Sequence, residues 1–121
     1  MEKTFTAEMT VTADKTAAAM GSGDLPVLAT PAMIALMENA AMRCVQADLP
    51  GGATTVGVRM DAAHTRASAV GARITARATL TEQSGRSYTF RVEAFDEKGE
   101  IGSGTHQRVS VDREKFLARL G

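Results

Sequence analysis

One segment restricts the fold more than any other: Thr30-Pro31-Ala32-Met33-Ile34-Ala35-Leu36-Met37-Glu38-Asn39-Ala40-Ala41-Met42-Arg43-Cys44-Val45, the only long apolar helix that these 121 residues can make. Thr30 suits an N-cap and Pro31 the first helical position. The helix should end near Asp48, before Pro50-Gly51-Gly52. Asn39, Arg43 and Gln46 cluster as a polar face, and the rest of the circumference is mostly apolar. Such a helix must be covered on more than one side.

The remainder of the chain supplies strands. Residues 4–12 alternate, with Phe5, Ala7, Met9 and Val11 against Thr4, Thr6, Glu8, Thr10 and Thr12. Residues 54–64 put Val56, Val58, Met60, Ala62 and His64 on one parity, which should be the covered face. Residues 72–82 put Ala72, Ile74, Ala76, Ala78 and Leu80 on one face. A turn at Gln83-Ser84-Gly85 leads to 86–96, where Tyr88, Phe90, Val92 and Ala94 point inward. A turn at Glu97-Lys98-Gly99 leads to a strand over 101–111, and Asp112 caps a short helix holding Phe116, Leu117 and Leu120. Residues 13–29, with Met20-Gly21-Ser22-Gly23-Asp24-Leu25-Pro26, read as a flexible connector that could act as a lid. The order is β-α-β-β-β-β with a short C-terminal helix. It predicts an α+β hot-dog fold, a five-stranded antiparallel sheet wrapped around a long central helix, as a single domain over 1–121.

Composition narrows the function. Fourteen basic residues balance fourteen acidic ones, so no net charge draws the chain to nucleic acid or to an anionic membrane. No apolar run follows a basic start, and the helix is too short to span a bilayer, so a cytoplasmic protein is expected. Cys44 cannot form an internal disulfide and reads as a buried, inert thiol. Two His and one Cys show no zinc spacing, and no P-loop, dinucleotide fingerprint or nucleophile elbow is present. Neither a metal nor a cofactor is expected. With no Trp, one Tyr and four Phe, the core is built from small and aliphatic side chains, which favours burial between copies.

Three residues stand out. Glu38 has Ile34, Ala35, Ala41 and Met42 as its helical neighbours, and no local Lys or Arg. A carboxylate on a face meant for burial needs a partner, a dimer interface or a task in chemistry. His64 ends its strand beside a break at Arg66-Ala67-Ser68-Ala69-Val70-Gly71. It reads either as a general acid–base group or as a structural histidine bonded to a carbonyl. Thr30 lies eight residues before Glu38, roughly on the same side of the helix. It reads as a plain cap or as the mouth of a site that uses free N–H groups at the helix start.

These residues form a pattern. Ala29-Thr30, the helix with Leu36-Met37-Glu38, Val56-Gly57-Val58, His64-Thr65 and Gly71, and Ile101-Gly102-Ser103-Gly104-Thr105-His106 with Arg108, then Glu114-Lys115-Phe116, resemble the hot-dog acyl-CoA thioesterases, and among them the fluoroacetyl-CoA thioesterases. The likeness runs over nearly the whole chain. It implies hydrolysis of an acyl-CoA, with Thr30 acting on the thioester carbonyl or positioning water, Glu38 as nucleophile or base, and His64 protonating the leaving thiolate. It further implies that Gly57 approaches the acyl group, that Arg108 lies near the substrate, and that the site forms between two protomers of a homodimer or a tetramer. One departure is plain: the fluoroacetyl enzymes carry a Phe-rich lid, whereas Asp24-Leu25-Pro26-Val27-Leu28 has no aromatic residue. A broader short- or medium-chain or aryl acyl-CoA is therefore expected.

Two rivals remain at this level. A hot-dog hydratase or dehydratase would use an Asp and a His, and Asp61 with His64 fits that spacing poorly. A non-catalytic acyl-CoA binder or regulatory hot-dog is disfavoured only by the joint presence of Thr30, Glu38 and His64. Arg59, Arg66, Arg73, Arg77 and Arg86 are candidates for the phosphates of coenzyme A, or equally a solvated strand face.

Overall fold

The structure, a computed structural model, describes residues 3–121. Strand β1 (Lys3–Thr10) is followed by a 3-10 turn (Ala13–Lys15), a one-turn helix α1 (Ala17–Met20) and the long helix α2 (Thr30–Gln46). Then come β2 (Ala53–His64), β3 (Arg73–Ser84), β4 (Ser87–Asp96), β5 (Gly99–Asp112) and a short helix α3 (Arg113–Ala118). All strand pairs are antiparallel, in the order β1-β3-β4-β5-β2, so β1 and β2 form the two edges. This is the hot-dog architecture. Among the described residues no helix is long and apolar enough to cross a membrane.

The sheet curls around α2. Ala32, Met33, Leu36, Met37, Ala40, Ala41, Cys44 and Val45 are the buried side of the helix. They meet Ile74, Ala76 and Ala78 of β3, and Phe90, Val92 and Ala94 of β4, all six at 0 % exposure. Only small residues let the strands come this close. A Cβ on Gly102 would lie 2.7 Å from the Met33 sulfur and 2.6 Å from the Ala63 carbonyl, and one on Gly104 would strike the Asp61 carbonyl. The small residues of β5 therefore serve helix–sheet and strand–strand contact. Phe90 is the largest fully buried side chain, and truncating it to Ala should cost about 3–5 kcal/mol.

Three local expectations are corrected. Ala29, not Thr30, is the N-cap of α2; its side chain makes no cap bond, and Thr30 and Pro31 occupy the first turn. Thr30 is thereby free to use its hydroxyl elsewhere. Residues 13–29 are not a slack connector. Thr16 caps α1 through Ala19 N–H, Thr16 bridges Leu28, and Val27 bridges Ala69.

The third correction concerns β2. Its pairing with β5 slips between Gly57 and Arg59, leaving Val58 as the extra residue of a β-bulge. Side chains alternate with a period of two, so one inserted residue reverses the parity. Thr55 and Gly57 face the helix before the bulge, opposite Ser110 and Arg108; Met60, Ala62 and His64 face it afterwards, opposite His106, Gly104 and Gly102. Val56 and Val58 do not share the covered face, and Val58 is 57 % exposed.

Candidate functional site

Two clusters of polar side chains lie along α2. The first is at its N-terminus. With Ala29 acting as the cap, the Thr30 hydroxyl sits 2.8 Å from His64 Nδ1. Thr30 is exposed and His64 half-buried. His64 Nε2 is buried and has no hydrogen-bond partner among the described residues. Burial pushes the imidazole below the ordinary histidine range, against a smaller opposing effect of the Arg66 backbone. The ring is neutral at pH 7. A cleft of about 270 Å³ beside the pair is lined by Ser22, Val27, Leu28, Thr30, His64 and Thr65, among others.

The segment that follows His64 is fastened down. Thr65 and Arg66 N–H groups both donate to the Ile101 carbonyl. Arg66 Nη2 donates to Asp96 at 2.8 Å and to the Gly99 carbonyl at 3.0 Å, and Ser68 Oγ donates to the other Asp96 oxygen at 2.9 Å. The Asp96 side chain is only 5 % exposed. Burial alone would raise its pKa, but the Lys98 N–H, Arg66 and Ser68 together hold it below the usual carboxylate range. Leu28 N–H donates to the Ser68 carbonyl, so the chain leading into Thr30 and the chain leaving His64 are joined.

The second cluster lies further along the helix. Glu38 is half-buried and lines a cleft of about 420 Å³ with Ala35, Asn39, Met42, Thr55, Val56, Gly57 and Arg108. A Cβ added to Gly57 would stand 3.4 Å from Glu38 Oε2, 3.4 Å from Arg108 Nη1 and 3.2 Å from His106 Cε1. A side chain there would fill the gap between carboxylate and guanidinium. Arg108, 7 % exposed, donates from Nε to Thr55 Oγ1 at 2.7 Å and from Nη2 to the Thr55 carbonyl at 2.9 Å. Its Nη1 lies 3.2 Å from His106 Nε2, and His106 Nδ1 lies 2.7 Å from the Arg59 carbonyl. Burial lowers the pKa of Arg108, and the Glu38 charge partly offsets this.

Comparison with known proteins decides the family. The family described as fluoroacetyl-CoA-specific thioesterase matches residues 11–114. The fluoroacetyl-CoA thioesterase of Streptantibioticus cattleyicolor is 39 % identical over 94 residues, which are 78 % of this chain and 68 % of that protein. The chain belongs to the fluoroacetyl-CoA-specific thioesterase family. The structure of a mutant fluoroacetyl-CoA thioesterase in complex with acetyl-CoA superposes with a TM-score of 0.92 at 33 % identity, covering 97 % of this chain and 92 % of the other. A hot-dog-like protein from Thermanaerovibrio acidaminovorans shares the fold, with a TM-score of 0.86 at 21 % identity over 97 % of this chain and 87 % of that one. Thioester hydrolysis is the chemistry of the family.

Against that family, the single chain brings together Thr30 with His64, and Glu38 with Gly57 and Arg108. It does not bring the two groups to one cleft, because eight residues of helix separate Thr30 from Glu38, roughly 12 Å of rise. Of the five candidate arginines, Arg66, Arg73 and Arg77 are ion-paired with Asp96, Glu8 and Glu93, and Arg86 donates to the Ser110 carbonyl. They fit the reading of a paired strand face. The residue that sequence reasoning left without a task is His106, which is 1 % exposed. The available signal was parity: Gly102, Gly104, His106 and Arg108 alternate along β5, so a buried Arg108 implies a buried His106.

Proposed function

We propose that the protein is a homodimeric acyl-CoA thioesterase in which Thr30, Glu38 and His64 do the chemistry and Gly57 and Arg108 receive the acyl end of the substrate. The observation that carries this reading is the 2.8 Å contact of Thr30 Oγ1 with His64 Nδ1, a hydroxyl held against a neutral imidazole at a helix start. When the hydroxyl donates into Nδ1, the ring keeps its own proton on Nε2. Glu38 accepts a proton from the attacking water, the carbonyl carbon gains an oxygen, and the C–S bond breaks. The His64 ring gives its Nε2 proton to the thiolate, forming the free thiol of coenzyme A, as it takes back the proton that Glu38 drew from the water, so the ring ends neutral and Glu38 ends as a carboxylate. The products are the carboxylic acid and coenzyme A.

The dimer reading rests on an incomplete protomer. The Glu38 flank of α2 is open, with Ala35 exposed and Met42 half-buried. Strand β2 is an unpaired edge with Val58 exposed beside the bulge. Joining two copies along this edge would cover both and bring one protomer's Glu38 cleft to the other's Thr30–His64 corner. The substrate reading rests on the 24–28 stretch. Leu25 is 61 % exposed and no aromatic ring closes the cleft, so acyl groups larger than fluoroacetyl have room.

The test is a panel of acyl-CoA thioesters, from acetyl and fluoroacetyl to hexanoyl and phenylacetyl, with free thiol followed over time and His64→Ala run alongside. Turnover that the variant loses by about 100-fold is expected, strongest on the larger acyl groups. Binding without thiol release on every member would sink the catalytic reading in favour of a carrier.

A further inference from the structure

His106 makes two polar contacts, and together they leave it one protonation state. The Arg59 carbonyl can only accept, so Nδ1 must carry a hydrogen. Arg108 Nη1 can only donate, so Nε2 must be bare. The ring is therefore the neutral Nδ1–H tautomer, wedged beside Phe90 at a centroid distance of 6.3 Å. Both contacts bear on the same place. Arg108 grips Thr55 on one side of the bulge through its hydroxyl and its carbonyl, and His106 grips Arg59 on the other. Between them lies Gly57, facing Glu38. Arg108 has five N–H groups, of which three are engaged by Thr55 and His106. One N–H on each terminal nitrogen remains for a ligand in the Glu38 cleft that Arg108 lines.

We infer that His106 is a positioning residue: as the Nδ1–H tautomer it holds the bulge at Gly57 and aims the free N–H groups of Arg108 at a thioester lying between Gly57 and Glu38. This assignment rests on reading that cleft as the thioester site. His106 offers the substrate no polar atom, because both ring nitrogens are engaged. It works by denying the guanidinium any other rotamer and by keeping the Gly57 backbone pressed toward the carboxylate.

Two isosteric substitutions separate its two bonds. The amide of His106→Asn reaches the place of Nδ1 and keeps a donor for the Arg59 carbonyl, but offers Arg108 nothing. The amide of His106→Gln reaches the place of Nε2 and keeps an acceptor for Arg108. With Tm confirming that each variant is folded, His106→Asn should lose about tenfold in kcat/KM. His106→Gln should stay within about threefold of wild type. Added to Arg108→Gln, His106→Asn should cost no more than about twofold further, because the group it aims is already gone. Nitrogen-15 spectra of the imidazole, which need no turnover, should show a proton on Nδ1 and a bare Nε2. A proton on Nε2, or a full tenfold loss on the Arg108→Gln background, would overturn the assignment while leaving the thioesterase reading intact. A wild type that hydrolysed no member of the panel would remove the thioesterase reading instead, and this assignment with it, even with the tautomer as stated.

Discussion

The two polar corners of α2 are built by opposite means. At the N-terminal corner the Thr30–His64 contact is short and direct, one hydroxyl on one ring, and its precision comes from loops pinned by Asp96, Arg66, Ser68 and Leu28. At the Glu38 corner no side chain bonds the carboxylate among the described residues. The precision there comes from regular strands, a bulge and two buried polar side chains that hold it. The contrast teaches that a loop site and a strand site fail differently. Loosening the first should lower stability and activity together. Altering Glu38 at the second should change activity at nearly constant stability, because no side chain among the described residues bonds its carboxylate.

The largest break of this comparison is Glu38→Gln. It removes the charge but keeps the shape, and kcat should fall by about 100-fold or more with Tm within a few degrees of wild type. A well-folded variant with full turnover would remove Glu38 from the chemistry. Next is Gly57→Ala, whose methyl would enter the gap 3.4 Å from both Glu38 Oε2 and Arg108 Nη1. Its kcat/KM should fall about tenfold, with a larger loss on bulky acyl groups than on acetyl; an equal loss across the panel would mean that the gap does not hold the acyl group.

Asp96→Asn sharpens the other side. It leaves Arg66 without its ion pair, so Tm should drop by about 5 °C and activity should fall with it as the His64 segment loosens. Loss of activity at an unchanged Tm would contradict the loop-site description. The smallest effect is in pH. His64 and His106 both have native pKa values below the ordinary value of about 6.5. Below that value the unfolded rings take up protons that the native rings refuse, so their contribution is complete above pH 6.5 and is lost as pH falls toward the native values. Tm at pH 5 should lie a few degrees below Tm at pH 7, and His106→Gln should flatten the dependence. Asp96 adds nothing in this window, because its contribution disappears only as pH falls from the ordinary carboxylate value toward its lower native one.

Much of this was legible in the sequence, and the exceptions share a cause. Alternation identified β3 and β4 with their inward Ile74, Ala76, Phe90 and Val92, because those strands are central and buried on the helix side. The apolar helix and the half-buried Glu38 followed from spacing. Alternation failed at β2, where the run from Val56 to His64 looks unbroken and gives no sign of an inserted residue. Capping preference misplaced Thr30 by one position, because a tertiary partner, His64, competes for the hydroxyl that a cap would use. His106 was named in the motif, but its burial went unread for a related reason: a histidine between Thr105 and Gln107 looks like surface until the parity of the strand is known.

The bulge at Val58 has a consequence for how this strand can change over time. Residue identity at position 58 matters little to the fold of the single protomer, where the side chain is exposed, but the existence of position 58 matters greatly. Deleting it would work like a shift of reading frame confined to three dimensions: Met60, Ala62 and His64 would swing out to the solvent and Arg59, Asp61 and Ala63 would swing in. The fold of the protomer should accept most substitutions at this point and no change of length, so for the fold the spacing between Gly57 and His64 is under tighter constraint than the residue that creates it.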